Sequence, residues 1–271
     1  MYLFYVYGSG LGHLKRVSDF IHFLKIPVVN CLVISQSDFG FFWRKDWVFI
    51  QFPKEKFENK NDFNKLFDFL IKKYNISEVF IDVFPEGFYG ELSSCLETFK
   101  GKKSLIARIL SEEYFVKYKS RSFFDKVFFT EKGIIKENYN YKESVQIDLE
   151  FRFVTNAQQS IISKPFSIII HSQPKEEVLF LYRLSKMYNM NQNTIIYTCS
   201  DLSNIFLSKN VKIRNFMTPS KEILTESTQI YTSAGFNSIR MLKDYYSKTL
   251  FVPFPRKYDD QVRRKKLFNL K

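Results

Sequence analysis

The sequence predicts an α/β protein made of two successive doubly wound domains. Its 271 residues exceed the size of a typical single domain. Short apolar strands alternate with amphipathic helices, first from residue 2 onward and again from residue 166. The polar, pattern-free residues 151–164 separate these two runs. We therefore assign residues 1–155 to an N-terminal domain and residues 165–271 to a C-terminal domain.

The N-terminal run opens with a strand, a glycine loop and a helix. Residues 2–7 are apolar, as in a buried parallel strand, and Gly8-Ser-Gly-Leu-Gly-His-Leu-Lys-Arg16 follows. Apolar residues recur at helical spacing from Val17 to Leu24, so the loop leads into a helix and lets a ligand approach its backbone. Further strands are predicted at residues 28–34, 48–52, 79–83, 104–109, 126–130 and 145–147, and a helix at 62–74.

The C-terminal run ends in a second glycine turn. From Tyr231 to Gln261 the sequence reads as a strand, a turn at Gly235, a helix opening near Asn237 and Ser238, a strand and a polar loop. Backbone N–H groups at a helix start suit a phosphate, and the two polar side chains add donors. The alternative is that the glycine only lets helix and strand pack closely. The preceding elements are predicted strands at 166–171, 194–198 and 211–215 and helices at 176–188 and 219–225.

Composition and charge limit the partners. The formal net charge is +13, but the basic residues are dispersed and accompany no recognisable nucleic-acid module, so no specific nucleic-acid partner is predicted. The dense run Arg263-Arg-Lys-Lys266 is interpreted as a solvated helix face, with peripheral attraction to an anionic membrane as the alternative. The 31 Phe residues are interpreted as core residues that stand in for Leu.

Cysteine usage and the N-terminus predict a cytoplasmic location. The three cysteines are far apart and show no metal-ligand spacing, so we expect reduced core thiols and no metal site. The apolar N-terminus is one strand long and is followed at once by glycines, unlike a signal peptide or a membrane span.

His13 is the first candidate for catalysis. A neutral imidazole at a helix mouth can act as a general base, whereas the alternative is a hydrogen-bonded structural histidine. Arg16, one helical turn later, is predicted to hold an anion or to lie on the surface. Gly10 and Gly12 are predicted to bring the loop backbone close to the substrate.

Polar residues at the predicted carboxyl ends of strands complete the candidate site, because α/β sheets bind ligands at that edge. Asp82 is predicted to assist the base, Glu86 to bind sugar hydroxyls, and His171 to bind substrate from the C-terminal half. In the loop after the last strand, Arg256, Asp260 and Gln261 offer donors and acceptors to adjacent sugar hydroxyls. A surface turn is the alternative for that loop.

These motifs resemble those of a known enzyme group. Gly8-x-Gly-x-Gly-His-x-x-Arg16 resembles the N-terminal signature of the glycosyltransferases that include family 28 and the peptidoglycan N-acetylglucosaminyltransferase acting on lipid I. Asp82-x-Phe-Pro-x-Gly-x-x-x-Glu91 and Leu105-Ile-Ala-Arg-Ile-Leu110 resemble segments of predicted members. Ser233-Ala-Gly-Phe-Asn-Ser238 is similar to the His-Cys-Gly-Trp-Asn-Ser core of nucleotide-sugar-dependent transferases, and Asp260-Gln261 matches its continuation.

The resemblance implies a GT-B fold, in which two Rossmann-like domains face a central cleft and no metal or other cofactor is obligatory. The N-terminal domain would bind the acceptor and the C-terminal domain a nucleoside-diphosphate sugar as co-substrate. His13 would be the acceptor-side base. By the same resemblance, the donor-binding residues are Ser233, Gly235, Asn237, Ser238, Arg256, Asp260 and Gln261.

The sequence departs from the family pattern at three places. Met241 stands where the family has a glutamate that binds ribose hydroxyls, and His171-Ser-Gln-Pro-Lys-Glu176 replaces a glycine-rich turn. The chain ends shortly after Gln261, so the long terminal helices are expected to be truncated. Either the domains close more loosely or a second copy completes the cleft, as a homo-oligomer.

Three functions remain open from the sequence. The leading hypothesis is an inverting, metal-independent glycosyltransferase whose acceptor is undefined. The second is a nucleotide-sugar hydrolase in which His13 activates water, because the hydrolase of the pseudaminic acid pathway has a similar Gly-x-Gly-His-x-x-Arg loop. The third is a catalytically degenerate binding protein, suggested by Met241 and the replaced glycine turn.

Overall fold

The computed structural model describes residues 1–8, 10–42, 47–119, 121–153, 165–188, 190–215 and 218–271. The chain divides into two compact units. Unit 1 comprises Met1–Leu149 and Lys257–Asp260, and unit 2 comprises Glu150–Arg256 and Gln261–Lys271. Of the predicted seam at residues 151–164, residues 154–164 lie outside the described residues.

Unit 1 contains a parallel sheet of seven described strands in the order β3-β2-β1-β4-β5-β6-β7. The strands are β1 (Tyr2–Val6), β2 (Cys31–Ser35), β3 (Val48–Gln51), β4 (Glu78–Asp82), β5 (Lys102–Ala107), β6 (Phe123–Phe129) and β7 (Asn140–Gln146). The helices are α1 (Leu11–Phe23), α2 (Lys54–Glu58), α3 (Lys60–Lys73), α4 (Leu92–Thr98) and α5 (Glu112–Tyr118).

The β1 sequence explains why both faces of this sheet are covered. Alternate side chains of a strand point to opposite faces, and Leu3 and Tyr5 pack into one apolar cluster whereas Phe4 and Val6 pack into another. The first cluster includes residues of α3 and α4, and the second includes residues of α1. A strand apolar on both faces therefore requires helices on both faces, which is the doubly wound arrangement.

Unit 2 contains a parallel sheet of five described strands in the order β10-β9-β8-β11-β12. Ile168 and Ile169 of β8 again belong to different apolar clusters. The strands are β8 (Phe166–Ile170), β9 (Asn193–Thr198), β10 (Val211–Asn215), β11 (Gln229–Ser233) and β12 (Thr249–Val252). The helices are α6 (Lys175–Tyr188), α7 (Lys221–Glu226), α8 (Phe236–Met241) and α9 (Gln261–Leu267).

The structure corrects one interpretation of the sequence. The basic run Arg263–Lys266 belongs to α9, but the Arg264 side chain is fully buried and its guanidinium lies 3.4 Å from the Ala234 carbonyl oxygen. Lys265 donates to the Phe251 carbonyl oxygen at 2.9 Å. The solvated-face interpretation is therefore wrong for Arg264, because α9 packs this side chain against unit 2 instead of presenting it to solvent.

Candidate functional site

Each sheet has a topological switch point where the strand order reverses. In unit 1 this point lies between β1 and β4, and in unit 2 it lies between β8 and β11. Loops that leave the two central strands there diverge to opposite faces, which opens a crevice at the carboxyl edge. His13 lies on the helix after β1 and Asp82 ends β4, whereas His171 follows β8 and Ser233 ends β11.

His13, Arg16 and Asp82 form one hydrogen-bonded cluster in unit 1. Nδ1 of His13 lies 2.6 Å from Oδ2 of Asp82, and Arg16 donates from Nε to Oδ1 and from Nη2 to Oδ2, both at 2.7 Å. The spacing of three residues places His13 and Arg16 on the same face of α1. The side chains of Asp82 and Arg16 are 0% and 2% exposed, but that of His13 is 19% exposed.

The protonation of this cluster follows from its geometry. Burial opposes ionisation of Asp82, but the charges of Arg16 and His13 outweigh it and lower the Asp82 pKa to about 2. An ionised carboxylate only accepts hydrogen bonds, so Nδ1 of His13 carries the proton that it shares with Asp82. Burial lowers the pKa of His13 below 6.5, against the opposing effect of Asp82. His13 is therefore neutral near pH 7, with its Nε2 lone pair available to accept a proton.

Gly8 makes room for the His13 ring. A Cβ at residue 8 would lie 2.5 Å from Cδ2 and 2.8 Å from Cγ of His13. Such distances require the ring or the loop to move. The glycines of this loop were predicted to let a ligand approach the backbone closely, whereas the structure shows that Gly8 makes room for the His13 ring.

The other predicted residues of unit 1 have different surroundings. Gly10 caps the start of α1 without a side chain, and Gly12 lies within α1. The Glu86 side chain is buried, and its carboxylate accepts hydrogen bonds from the backbone nitrogens of Arg121 and Ser122, both at 2.7 Å, and from the Ser93 hydroxyl at 2.6 Å. Glu86 thus ties the loop after β4 to the start of β6.

The predicted donor residues Ser233, Gly235 and Gln261 come together in unit 2. A Cβ built on Gly235 would lie 3.2 Å from Oγ of Ser233 and 3.9 Å from Nε2 of Gln261. Oε1 of Gln261 accepts from the Phe254 backbone nitrogen at 3.1 Å, which connects the start of α9 to the loop after β12. Asp260 lies in unit 1, so the Asp260–Gln261 pair is divided between the two units.

Asn237 and Ser238 lie in the first turn of α8. Oδ1 of Asn237 accepts from Nη1 of Arg240 at 3.0 Å, and this bond fixes the orientation of the amide group. The Thr232 hydroxyl donates to the Ile170 carbonyl oxygen at 2.7 Å and lies 3.1 Å from the Ser238 hydroxyl. Met241 is buried in one of the two apolar clusters of unit 2.

His171 and Arg256 meet on a carboxylate that sequence reasoning missed. Nε2 of His171 lies 2.7 Å from Oε2 of Glu177, and Arg256 donates to both oxygens of Glu177 at 2.6 Å. The sequence offers no signal for this contact beyond the position of Glu177 in the first turn of α6, because 79 residues separate Glu177 from Arg256.

The described residues contain no group of three or more His, Cys, Asp or Glu side chains that could hold a metal ion. None of the helices among them is long and apolar enough to cross a membrane. Cys31 and Cys95 are buried free thiols, and Cys199 is a half-buried free thiol.

Comparison with solved structures identifies similar folds. MurG of Acinetobacter baumannii matches at 12% identity with a TM-score of 0.54, covering 98% of this chain and 82% of MurG. The spinosyn forosaminyltransferase SpnP matches at 12% identity with a TM-score of 0.63, covering 99% and 83%. The Streptomyces sp. SF2575 glycosyltransferase SsfS6, complexed with thymidine diphosphate, matches at 9% identity with a TM-score of 0.62, covering 99% and 85%.

These similarities confirm the predicted GT-B fold class, because each neighbour is matched along nearly the whole of this chain. At 9–12% identity, these similarities establish the fold and not the activity. No protein-family model matches the chain, and no curated protein sequence matches it either.

Proposed function

We propose that this chain is an inverting glycosyltransferase that moves a sugar from a nucleoside-diphosphate sugar to an acceptor hydroxyl without a bound metal ion. The single observation that carries this proposal is the cluster of His13, Asp82 and Arg16, because it gives a neutral, partly exposed imidazole with a fixed tautomer. The fold shared with the forosaminyltransferase SpnP and with the glycosyltransferase SsfS6, which is complexed with thymidine diphosphate, supports the proposal.

In the proposed reaction, His13 acts as the general base. Nε2 takes the proton of the acceptor hydroxyl while the hydroxyl oxygen bonds to the anomeric carbon of the donor sugar. The bond from that carbon to the diphosphate breaks at the same time, and attack from the opposite side inverts the configuration. Asp82 accepts from Nδ1–H throughout, which stabilises the imidazolium that forms.

Unit 2 binds the departing diphosphate in this proposal. The hydroxyls of Ser233 and Ser238, the amide of Asn237 and the Arg256 guanidinium supply the donors, and Gln261 binds the donor sugar. Hydrogen bonds aimed at a developing negative charge stabilise the transition state more than the bound substrate, so they raise the rate.

Replacement of His13 tests the proposal. In His13→Ala, we expect release of nucleoside diphosphate from a panel of UDP- and TDP-sugars to fall about 10²- to 10⁴-fold. Nucleotide affinity by calorimetry and the melting temperature should be unchanged. The control is His22→Ala, which removes an exposed histidine from the same helix. EDTA should not affect turnover by the wild-type protein.

Other outcomes would contradict the proposal. Failure of every member of a panel of nucleoside diphosphates to bind at millimolar concentration would reject a nucleotide-sugar donor. Rapid release of free sugar without any acceptor would instead assign hydrolysis, with His13 activating water. A large loss of stability in His13→Ala would show that this histidine is structural.

A further inference from the structure

Glu177 contacts the side chains of both His171 and Arg256 at the carboxyl edge of the unit 2 sheet. It accepts a bidentate pair from Arg256, with Nη1 and Nη2 both 2.6 Å from its oxygens, and a hydrogen bond from His171. Burial raises the pKa of Glu177, but the bonds from His171 and Arg256 outweigh it and leave the pKa below its ordinary value. Glu177 is therefore ionised at neutral pH.

This contact spans the carboxyl edge of the sheet. His171 follows β8 and Arg256 follows β12, and β11 lies between these two strands. The segment after β12 therefore folds across the end of β11, and the Phe254 ring packs 5.3 Å from the His171 ring. The predicted donor residues that begin at Ser233 follow β11, so the Glu177 carboxylate lies at the same edge as the proposed diphosphate site.

The Arg256 guanidinium is suited to exchange one anion for another. An arginine fork binds a carboxylate and a phosphate with the same bidentate geometry. The Arg256 side chain is 32% exposed, so an incoming anion can reach it without unfolding the loop. The Glu177 carboxylate occupies the nitrogens that a phosphate would use.

We propose that Glu177 is an internal competitor of the donor diphosphate, which holds Arg256 until the diphosphate replaces the carboxylate. This inference rests on the proposed function, because it assumes that a diphosphate binds at this edge of unit 2. Glu177 thereby sets the affinity of the donor site, and its charge is an energetic cost that each donor must overcome on binding.

Calorimetric titration with UDP, TDP and inorganic pyrophosphate tests this inference. Glu177→Gln keeps the side-chain shape and an oxygen acceptor for His171 but removes the charge. We expect each of these ligands that binds the wild type to bind Glu177→Gln about tenfold more tightly than it binds the wild type. The matched control is Glu176→Gln, which removes the same charge from the same helix turn at an exposed position. We expect it to change affinity less than twofold, in the range of weak surface electrostatics.

A double variant separates competition from general electrostatics. Arg256→Ala should weaken binding, and adding Glu177→Gln to it should give no further gain, because the two residues act through one contact. Weaker binding in Glu177→Gln would overturn the inference and show that the carboxylate orients Arg256. An equal gain in Glu176→Gln would also overturn it.

The outcome can be separated from that of the proposed function. If the wild type turns over a nucleotide sugar through His13 while Glu177→Gln binds like the wild type, the inference fails and the proposed function stands. If Glu177→Gln gains affinity for pyrophosphate while neither nucleotide binds any variant, the competition is supported and the proposed donor class is wrong.

Discussion

Each unit brings a histidine, a carboxylate and an arginine together at the carboxyl edge of its sheet, but the two units expose these groups in opposite ways. In unit 1 the His13 side chain is 19% exposed and the arginine on its carboxylate, Arg16, is 2% exposed. In unit 2 the His171 side chain is 5% exposed and the arginine, Arg256, is 32% exposed. The same three groups can therefore serve different chemistry, because burial determines which side chain remains accessible to a ligand.

The hydrogen bonds follow the same division. His13 bonds its carboxylate through Nδ1 and keeps Nε2 as an acceptor, whereas His171 uses Nε2 for Glu177. A buried arginine holds the carboxylate of unit 1 in place, and an exposed arginine in unit 2 remains able to change partners. Unit 1 is thus suited to proton transfer and unit 2 to anion binding.

Removing the unit 1 carboxylate should have the largest effect. We expect Asp82→Asn to lower turnover about 10³-fold, because the amide no longer fixes the His13 tautomer or stabilises the imidazolium. The pKa of His13, measured by NMR, should fall further, since Asp82 opposes its lowering. Asp38→Asn, at an exposed position of the same unit, is the control. Turnover near the wild-type level in Asp82→Asn would contradict the proposal that unit 1 carries out the proton transfer.

Truncating Arg16 and Arg256 to alanine should lower the free energy of unfolding by different amounts. Arg16→Ala leaves the fully buried Asp82 without its cation, so we expect the free energy of unfolding to fall by about 3–5 kcal/mol. Arg256→Ala removes an ion pair with a partly exposed arginine, so the loss should be at most about 1 kcal/mol. Urea unfolding of both variants provides the comparison. Equal losses would contradict the assigned difference in burial.

The two glycines offer a smaller and more local contrast. In Gly8→Ala the new Cβ must displace the His13 ring, and we expect turnover to fall about 10- to 100-fold with nucleotide affinity retained. In Gly235→Ala the nearest atom is Oγ of Ser233 at 3.2 Å, which can shift by rotation, so nucleotide affinity should fall only about twofold to fivefold. Steady-state kinetics and calorimetry measure both. A greater kinetic loss in Gly235→Ala would disagree with this assignment.

The pH profile should show the smallest effect near neutrality. In the proposed reaction the base is neutral His13, and its pKa is lowered below 6.5, so kcat/KM should be flat just below pH 7 and decrease only at more acidic pH. Below that pKa the rate should fall about tenfold per pH unit as His13 gains a proton. Rates measured from pH 4.5 to 8 provide the test. A decrease that begins above pH 6.5 would show that another group controls the rate.

Most of the fold follows from local patterns. The apolar strands and helices recur along the chain, and the structure confirms their α/β alternation. The boundaries are less accurate: the strand predicted at residues 28–34 begins only at Cys31, because a short 3-10 turn (Val28–Asn30) follows Pro27. The strand predicted at 145–147 is β7, which begins at Asn140 and consists mostly of exposed polar residues, so its first part forms no apolar run.

The candidate site was predictable only in part. The three-residue spacing of His13 and Arg16 is local, and Asp82 ends a recognisable strand, so these residues were identified from the sequence. The contacts of Gly8 and Glu177 at the two candidate sites were missed, and so was the burial of Arg264. Their contacts depend on a ring packed onto a loop and on side chains that meet across strands.

The sequence by itself determined the two α/β runs, the glycine turns and the histidine that we propose as the base, because hydrophobic period and turn chemistry act over a few residues. Only the tertiary structure decided which nitrogen of each histidine is engaged and which arginine is buried. The strand order brings Asp82 to Arg16 and Glu177 to Arg256 over 66 and 79 residues. Burial of the side chains at these two contacts then determines how each group is ionised and how far it is exposed, and no local sequence pattern encodes this.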